Sequence, residues 1–169
     1  MVSVTLTHLE LVSREAFRPS TLVATGDDLH RVAVSDAAMV AATMYDRVGA
    51  AWHWRDRLVW TPEDWASYVH RSGVELWTLI EGNASIGYFE LEREGEVVTL
   101  KLFGLTAEGM GRGLGGWLLT KACERAWDLG ASRVVLNTCT LDGPAAMPNY
   151  LARGFRVVGV EHQDREVPA

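Results

Sequence analysis

The sequence is poor in cysteine and has no excess of basic residues. Its two cysteines, Cys123 and Cys139, have neither a CxxC spacing nor a histidine cluster nearby. Isolated cysteines of this kind predict reduced thiols rather than a disulfide framework or a metal site. Sixteen lysines and arginines stand against 22 aspartates and glutamates, which gives a net charge of −6. This balance argues against a nucleic-acid partner.

Long apolar runs are also absent. No segment approaches the roughly 20 apolar residues that a membrane-spanning helix needs. Residues 2–12 alternate apolar and polar side chains and lack the basic start and continuous apolar core of a signal peptide, so they predict a strand. We therefore expect a cytoplasmic protein with no membrane partner.

The hydrophobic pattern predicts one α/β domain over residues 1–169. Hydrophobic residues make up 48% of the chain, and no repeat, linker or low-complexity segment interrupts it. Turns at Gly82 and Gly95 separate three strands that we expect to form an antiparallel meander. Strands are predicted near 5–12, 29–34, 74–81, 85–93, 97–105, 133–138 and 155–161, and helices near 35–48, from 61 onward, 117–129 and 145–152.

The most informative segment is the glycine-rich run at residues 109–116, GMGRGLGG, which joins a predicted strand to a predicted helix. Glycines let the backbone take positive φ and let a ligand approach closely. A helix start adds unpaired N–H groups and a partial positive charge. The segment therefore predicts a pyrophosphate-binding loop.

Two common nucleotide motifs fit this loop poorly. A nucleoside triphosphate loop ends in Gly-Lys-Ser/Thr, whereas Gly116 is followed by Trp117. The dinucleotide fingerprint GxGxxG is matched literally from Gly111 through Gly113 to Gly116, and it stays open as a weaker alternative. That motif requires an acidic residue at the end of the next strand, but the strand predicted at 133–138 ends in Asn-Thr.

A second segment, residues 149–155 (NYLARGF), places Tyr150 four residues before a Gly-Phe pair. Together with the glycine loop it resembles the GNAT superfamily of acyl-CoA N-acyltransferases, and the resemblance covers most of residues 30–161. It implies a single-domain α/β GNAT fold, in which helices flank a mixed, mostly antiparallel sheet with splayed fourth and fifth strands. The family's loop pattern, Gln/Arg-x-x-Gly-x-Gly/Ala, falls on residues 110–115, where Met110 replaces the polar first residue.

The resemblance implies acetyl-CoA as co-substrate. Backbone amides of the loop would hold the pyrophosphate, and we expect Arg112 to supply the contact that Met110 lacks. The pantetheine arm would pair with the fourth strand, where a free N–H polarises the acetyl carbonyl and where Gly104 fits a β-bulge. The residues expected to hold acetyl-CoA are Phe103, Gly104, Leu105, Met110, Gly111, Arg112, Gly113, Leu114, Gly115 and Gly116.

The same resemblance makes Tyr150 the expected catalytic acid, because a tyrosine at this spacing protonates the departing thiolate. The general base is open between several candidates. Strand alternation places Glu90 and Glu92 on one face of their strand, so that either carboxylate would project into the acceptor side of the cleft. We take Glu90 as the first candidate, with His53 and a water relay as alternatives.

Four of the seven tryptophans lie between the first two predicted helices, in residues 51–60 (AWHWRDRLVW) and at Trp65. In the family this region overhangs the acyl group. We therefore expect Trp52, His53 and Trp54 to bind the acceptor, as an aromatic lid over a planar, apolar or cationic amine. The alternative is that the rings only pack the helices onto the sheet.

The expected function is an N-acetyltransferase. It would move an acetyl group from acetyl-CoA directly to a primary amine of a small molecule or peptide, since neither cysteine has an evident activating base. No metal is expected. A non-catalytic acyl-CoA-binding or regulatory module on the same fold is the alternative. The Trp-rich segment and the final strand are candidate surfaces for a homodimer.

Overall fold

The computed structural model describes residues 1–22 and 28–166, which form one seven-stranded mixed sheet with helices on both faces. The strands are β1 (Val2–Leu11), β2 (Leu29–Arg31), β3 (Val74–Glu81), β4 (Ala84–Glu94), β5 (Val97–Leu105), β6 (Arg133–Cys139) and β7 (Arg156–Arg165). The helices are α1 (Ala37–Gly49), α2 (Pro62–Val69), α3 (Leu114–Asp128) and α4 (Ala146–Ala152). None of the described helices is both long and apolar enough to cross a membrane.

The sheet order is β2-β3-β4-β5-β6-β1-β7. Only β5 and β6 run parallel, and each of the other neighbouring pairs is antiparallel. This is the predicted α/β class with a mostly antiparallel sheet. The predicted meander is β3–β4–β5, and its turns contain Gly82 and Gly95, both with a φ of +61° that glycine adopts without strain.

Helix α3 begins earlier than the sequence pattern predicts. We expected it from residue 117, whereas its first residue is Leu114. The cause is Gly113, whose φ of +76° turns the chain directly into the helix, so that Gly115 and Gly116 form part of the first helical turn. The loop before α3 therefore ends at Gly113, three residues earlier than predicted, and the helix begins within the glycine-rich run.

The N-terminal strand has an unanticipated position. β1 lies between β6 and β7 and is antiparallel to both. As a result β7 is an edge strand that pairs only with β1 among the described elements. Three of its valines, Val157, Val158 and Val160, are 48%, 51% and 52% exposed. Exposed apolar side chains on an edge strand are typical of a pairing surface.

Alternating side chains of β4 divide the core into two layers. Phe89 and Leu91 pack with Leu118 of α3 on one face of the sheet. Tyr88 packs on the opposite face with Met44 of α1 and with residues of α2. The helices on both faces thereby hold the central strands β4 and β5 in place, and β5 forms one wall of the candidate site.

A buried carboxylate on β3 connects this strand to helix α3. Glu75 of β3 accepts hydrogen bonds from Arg125 Nη2 at 2.7 Å, from Arg125 Nε at 2.9 Å and from Trp77 Nε1 at 3.0 Å. Burial raises the pKa of Glu75, but the hydrogen bonds from Arg125 and Trp77 outweigh this effect and hold the pKa below its ordinary value.

This pKa shift predicts a pH-dependent contribution to stability. A carboxylate whose pKa is lowered by folding stabilises the protein above its ordinary pKa, near 4.3, and loses that contribution as the pH falls through its folded-state pKa. We expect Glu75→Gln to destabilise the protein at pH 7 and to cost less at pH 3.5, measured by urea unfolding. Glu124→Gln, which breaks an exposed pair with Lys121, is the control. A deficit for Glu75→Gln that does not depend on pH would contradict the prediction.

Candidate active site

A cavity of about 860 Å³ opens where β5 and β6 separate. The two parallel strands pair only from Val97 to Thr99 on β5, and beyond Thr99 they no longer pair. These are the strands expected to splay. Of the predicted site residues, those that line the cavity are Trp52, His53, Trp54, Phe103, Gly104, Leu105, Met110, Gly111, Gly113, Leu114, Gly115, Gly116 and Tyr150. The two that do not are Arg112 and Glu90.

The β5 wall presents backbone groups to the cavity. Phe103, Gly104 and Leu105 pair with β4 on one side, while no strand pairs with them on the side of β6. Their free edge can accept an extended chain. The bulge that we expected at Gly104 lies instead at Lys101, where the β4–β5 register shifts. Gly104 lacks a side chain for another reason, because a Cβ there would stand 2.4 Å from Val48 Cγ1.

The glycine loop meets the cavity at the start of α3. Gly111 and Gly113 have φ values of +72° and +76°. No side chain caps the helix, and no acidic residue lies in its first turn. The first amides of a helix have no intrahelical acceptor, so those of Leu114, Gly115 and Gly116 are available to an anion. A phosphate group is the natural occupant of such a position.

The Arg112 side chain is held in an ion pair with an acidic residue. Its guanidinium forms a two-pronged ion pair with Glu81, with an Nη1–Oε1 distance of 3.0 Å. The hydrogen bond from Arg112 holds the pKa of this exposed carboxyl below its ordinary value. Because Glu81 already pairs with Arg112, the structure does not support the expected phosphate contact in place of Met110.

Tyr150 of α4 lines the cavity next to Phe103 of β5. Its ring contacts Phe103 and Phe155 edge-on, with centroid distances of 6.3 and 6.0 Å, and only 7% of the residue is exposed. Its hydroxyl has no hydrogen-bond partner among the described residues. Burial raises the pKa of this hydroxyl above its ordinary value, and the negative charge of Asp142 adds to the rise. Tyr150 therefore remains protonated at neutral pH and can act as a proton donor.

The Trp-rich segment divides into two groups. Trp52 and Trp54 line the cavity on either side of His53. Trp54 packs against Tyr45, with ring centroids 5.5 Å apart. His53 has a φ of +58° and is the one non-glycine residue with positive φ in the described part of the chain. Trp52 and Trp54 thus lie where an acceptor-binding role requires them. Trp60 and Trp65 instead pack around Arg57, as the alternative of a purely structural role predicts.

The second group surrounds Arg57. The Arg57 Cζ atom lies 5.7 Å from the Tyr45 ring centroid, 4.9 Å from that of Trp60, 5.7 Å from that of Trp65 and 4.2 Å from that of Tyr68. These rings form a cation–π cage that the protein's own guanidinium already fills. An acceptor amine can therefore reach Trp52 and Trp54 but not the interior of this cage.

Glu90 is the carboxylate partner of Arg57. Arg57 Nη1 donates to Glu90 Oε1 at 3.2 Å and to Oε2 at 3.3 Å, and the Tyr88 hydroxyl also donates to Oε2. Glu90 has no exposed surface. Burial raises its pKa, and the charge of Arg57 opposes the rise. The carboxylate thus points into the protein instead of the acceptor side of the cleft, where a base must touch the amine.

The comparisons with known proteins agree with this geometry. The family model described as "Acetyltransferase (GNAT) family" matches residues 38–155. The chain belongs to the GNAT acetyltransferase family. This span contains β5, the glycine loop and Tyr150, and it excludes β1 and β7. No functionally curated protein matches the chain at a significant level.

Solved GNAT structures share the fold at low sequence identity. A GCN5-related N-acetyltransferase from Sphaerobacter thermophilus superimposes with a TM-score of 0.68 at 16% identity, over 95% of this chain and 50% of that one. A ribosomal-protein-S18-alanine N-acetyltransferase from Escherichia coli gives 0.58 at 16% identity, over 75% of each chain. An aminoglycoside acetyltransferase from an uncultured soil metagenomic sample gives 0.62 at 11% identity, over 74% of this chain and 86% of that one. The chain spans 50–63% of the length of the first three structural matches.

Gly143, in the loop before α4, lies against the Trp52 ring of the Trp-rich segment. A Cβ at Gly143 would stand 3.0 Å from Trp52 Cη2. The Trp52 ring therefore occupies the space of the missing side chain, and it links the Trp-rich segment to the loop before α4.

Several residues of the site escaped the sequence analysis. Asn149 Nδ2 donates to the Gly115 carbonyl at 3.1 Å and so fastens α4 to the first turn of α3. Asp142 Oδ2 accepts from Cys139 N at 3.0 Å and from the Thr138 hydroxyl, which shapes the loop after β6. The one sequence signal for a role of Asn149 in the site was that it directly precedes Tyr150.

Proposed function

We propose that this GNAT protein transfers the acetyl group of acetyl-CoA directly to a primary amine. The observation that carries the proposal is one cavity in which an uncapped glycine-loop helix start, the open edge of β5 and the Tyr150 hydroxyl meet. The loop amides suit the pyrophosphate of acetyl-CoA. The β5 edge suits the amide groups of its pantetheine arm, which would pair as an added strand.

The residues of the cavity support a direct transfer step. The amine nitrogen forms a bond to the acetyl carbon while a free N–H of β5 stabilises the carbonyl oxygen. The carbon–sulfur bond then breaks, and Tyr150 donates its proton to the leaving thiolate and regains one from solvent. The amine proton passes to water or to His53, since Glu90 is enclosed. Orientation of the two substrates supplies much of the rate.

Neither cysteine is suited to form a covalent acyl-enzyme intermediate. Cys123 is fully buried, and burial raises the pKa of its thiol to about 12, so the thiolate is scarce at neutral pH. Cys139 lines the cavity, but its thiol makes no hydrogen bond to a base among the described residues. A nucleophilic thiol needs such activation.

The acceptor remains a primary amine of a small molecule or a peptide. Trp52, Trp54 and the exposed Asp56 line the acceptor end of the cavity and suit an amine with an apolar or cationic neighbour. The structural matches named as an aminoglycoside acetyltransferase and as a ribosomal-protein-S18-alanine N-acetyltransferase represent the two classes. The cytoplasmic location and the homodimer stay predictions, with the exposed β7 edge as the candidate dimer surface.

The first test is calorimetric titration of the full chain with acetyl-CoA, with CoA and NAD as parallel titrants. Binding of both CoA compounds without binding of NAD supports the proposal, and thiol release with a panel of amines then measures transfer. Absence of CoA binding would reject the co-substrate and with it the reaction. Tight binding with no thiol release for any amine would favour the non-catalytic module.

A matched pair of glycine variants assigns the binding to the loop. Gly111 and Gly95 both have positive φ, and a Cβ on either would meet nothing within 4 Å. Gly111→Ala and Gly95→Ala therefore carry a similar backbone strain, about 1–2 kcal/mol. We expect Gly111→Ala to weaken acetyl-CoA binding at least tenfold, because Gly111 lines the cavity, and Gly95→Ala to bind as wild type. Equal affinities in the two variants would exclude a role for the loop.

A further inference from the structure

Arg153 directly follows α4, and its backbone is fixed from both sides. Its N–H donates to the carbonyls of Asn149 and Tyr150, both at 3.1 Å, and its own carbonyl accepts from Arg18 N at 2.9 Å. The side chain extends toward α3. Arg153 Nη1 lies 2.6 Å from the point where a Cβ on Gly116 would stand, so the guanidinium rests on the backbone of the first turn of α3.

The guanidinium occupies a corner with fixed walls. Ser20 Oγ lies 3.4 Å from the same point above Gly116. Ser20 N donates to Thr120 Oγ1 at 2.8 Å, and Thr120 Oγ1 donates to the Gly116 carbonyl at 2.8 Å. These bonds hold the segment around Ser20 against the helix start. Arg153 is therefore positioned by the fold and is not a freely moving surface side chain.

The position is unfavourable for an unpaired cation. Arg153 Nε is buried and has no hydrogen-bond partner among residues 1–22 and 28–166. Within the described residues, no carboxylate lies within ion-pair distance of its guanidinium. The N-terminus of a helix carries a partial positive charge, which disfavours a cation beside it. Buried unsatisfied groups in native proteins usually indicate a missing partner, and an anion at the start of α3 would satisfy both the helix and Arg153.

We propose that Arg153 binds a phosphate group of the co-substrate at the outer side of the glycine loop. The inference rests on the proposed use of acetyl-CoA, which carries a pyrophosphate and a 3′-phosphate. Gly116 connects the two parts of the proposed phosphate site, the helix amides and the guanidinium. Its amide lies at the start of α3, and Arg153 Nη1 occupies the space that a side chain on Gly116 would fill. An arginine at this point supplies the charge that Arg112, paired with Glu81, does not.

Charge-specific variants test the proposal by calorimetry with CoA and with dephospho-CoA, which lacks the 3′-phosphate. We expect Arg153→Gln to weaken CoA binding about tenfold in 50 mM salt and less in 500 mM salt, because salt screens the lost attraction. Arg153→Lys keeps the charge and should lose less than about threefold. Arg156→Gln removes an exposed arginine of β7 and should bind CoA as wild type.

The two ligands identify the phosphate. A loss confined to CoA assigns Arg153 to the 3′-phosphate, and an equal loss with dephospho-CoA assigns it to the pyrophosphate. Gly116→Ala provides a second route, since its Cβ displaces Nη1 without removing the charge, and it should weaken CoA binding as well. Wild-type CoA affinity in a folded Arg153→Gln variant would overturn the proposal, whereas failure of the wild-type protein to bind CoA would overturn the proposed function instead.

Discussion

Replacement of Tyr150 by phenylalanine is expected to lower turnover at least about 100-fold, with less than a twofold change in acetyl-CoA affinity. General acid catalysis typically contributes a factor of about 100 to 10,000. The variant keeps the ring contacts with Phe103 and Phe155, so packing is preserved while the proton donor is lost. Thiol release at saturating acceptor measures turnover, and calorimetry measures affinity.

The pH dependence provides a second readout for the same residue. Burial raises the pKa of Tyr150, so its proton is retained throughout the neutral range. Wild-type turnover should therefore not fall between pH 7 and pH 9 through loss of this proton. If Tyr150→Phe retains full turnover on an acceptor that the wild-type enzyme acetylates well, the tyrosine is a packing residue and plays no part in proton transfer.

Local patterns predicted the central strands and the glycine loop well. Strands β3 and β5 have the predicted bounds because Gly82 and Gly95 each mark a hairpin turn with an unambiguous backbone requirement. The loop was recognisable because its glycines are needed by the backbone itself, whatever the surrounding fold. Tyr150 was found through its spacing to Gly154 and Phe155, which lie on the same short segment.

Features that depend on pairing between distant segments were not predictable. The position of β1 between β6 and β7 is decided by strand register, which neither strand encodes alone. Arg112 was assigned to the ligand because nothing in its own segment points to Glu81, 31 residues earlier. Glu90 was placed by strand alternation on the correct face of β4, but alternation cannot show that Arg57 encloses it there.

Removal of the Glu90 carboxylate should strongly destabilise the fold. Glu90→Ala leaves Arg57 as a largely buried cation without its ion-pair partner, since the Arg57 side chain is only 13% exposed. Breaking a buried pair in this way typically costs about 3–5 kcal/mol. In a protein of this size, that cost corresponds to a fall in Tm of roughly 6–20 °C. Thermal unfolding followed by circular dichroism measures it.

Two further variants separate this structural role from a catalytic one. Glu124→Ala breaks the exposed pair with Lys121 and should change stability by less than about 1 kcal/mol.

Glu90→Gln keeps the shape of the side chain and one carbonyl acceptor for Arg57, so it should cost less stability than Glu90→Ala. A carboxylate with no exposed surface cannot touch the acceptor amine, so the folded Glu90→Gln enzyme should retain turnover within about tenfold of wild type, because general-base catalysis is typically worth at least a hundredfold. Normal stability combined with abolished turnover in Glu90→Gln would restore Glu90 as the general base and would require the Arg57 cage to open during the reaction.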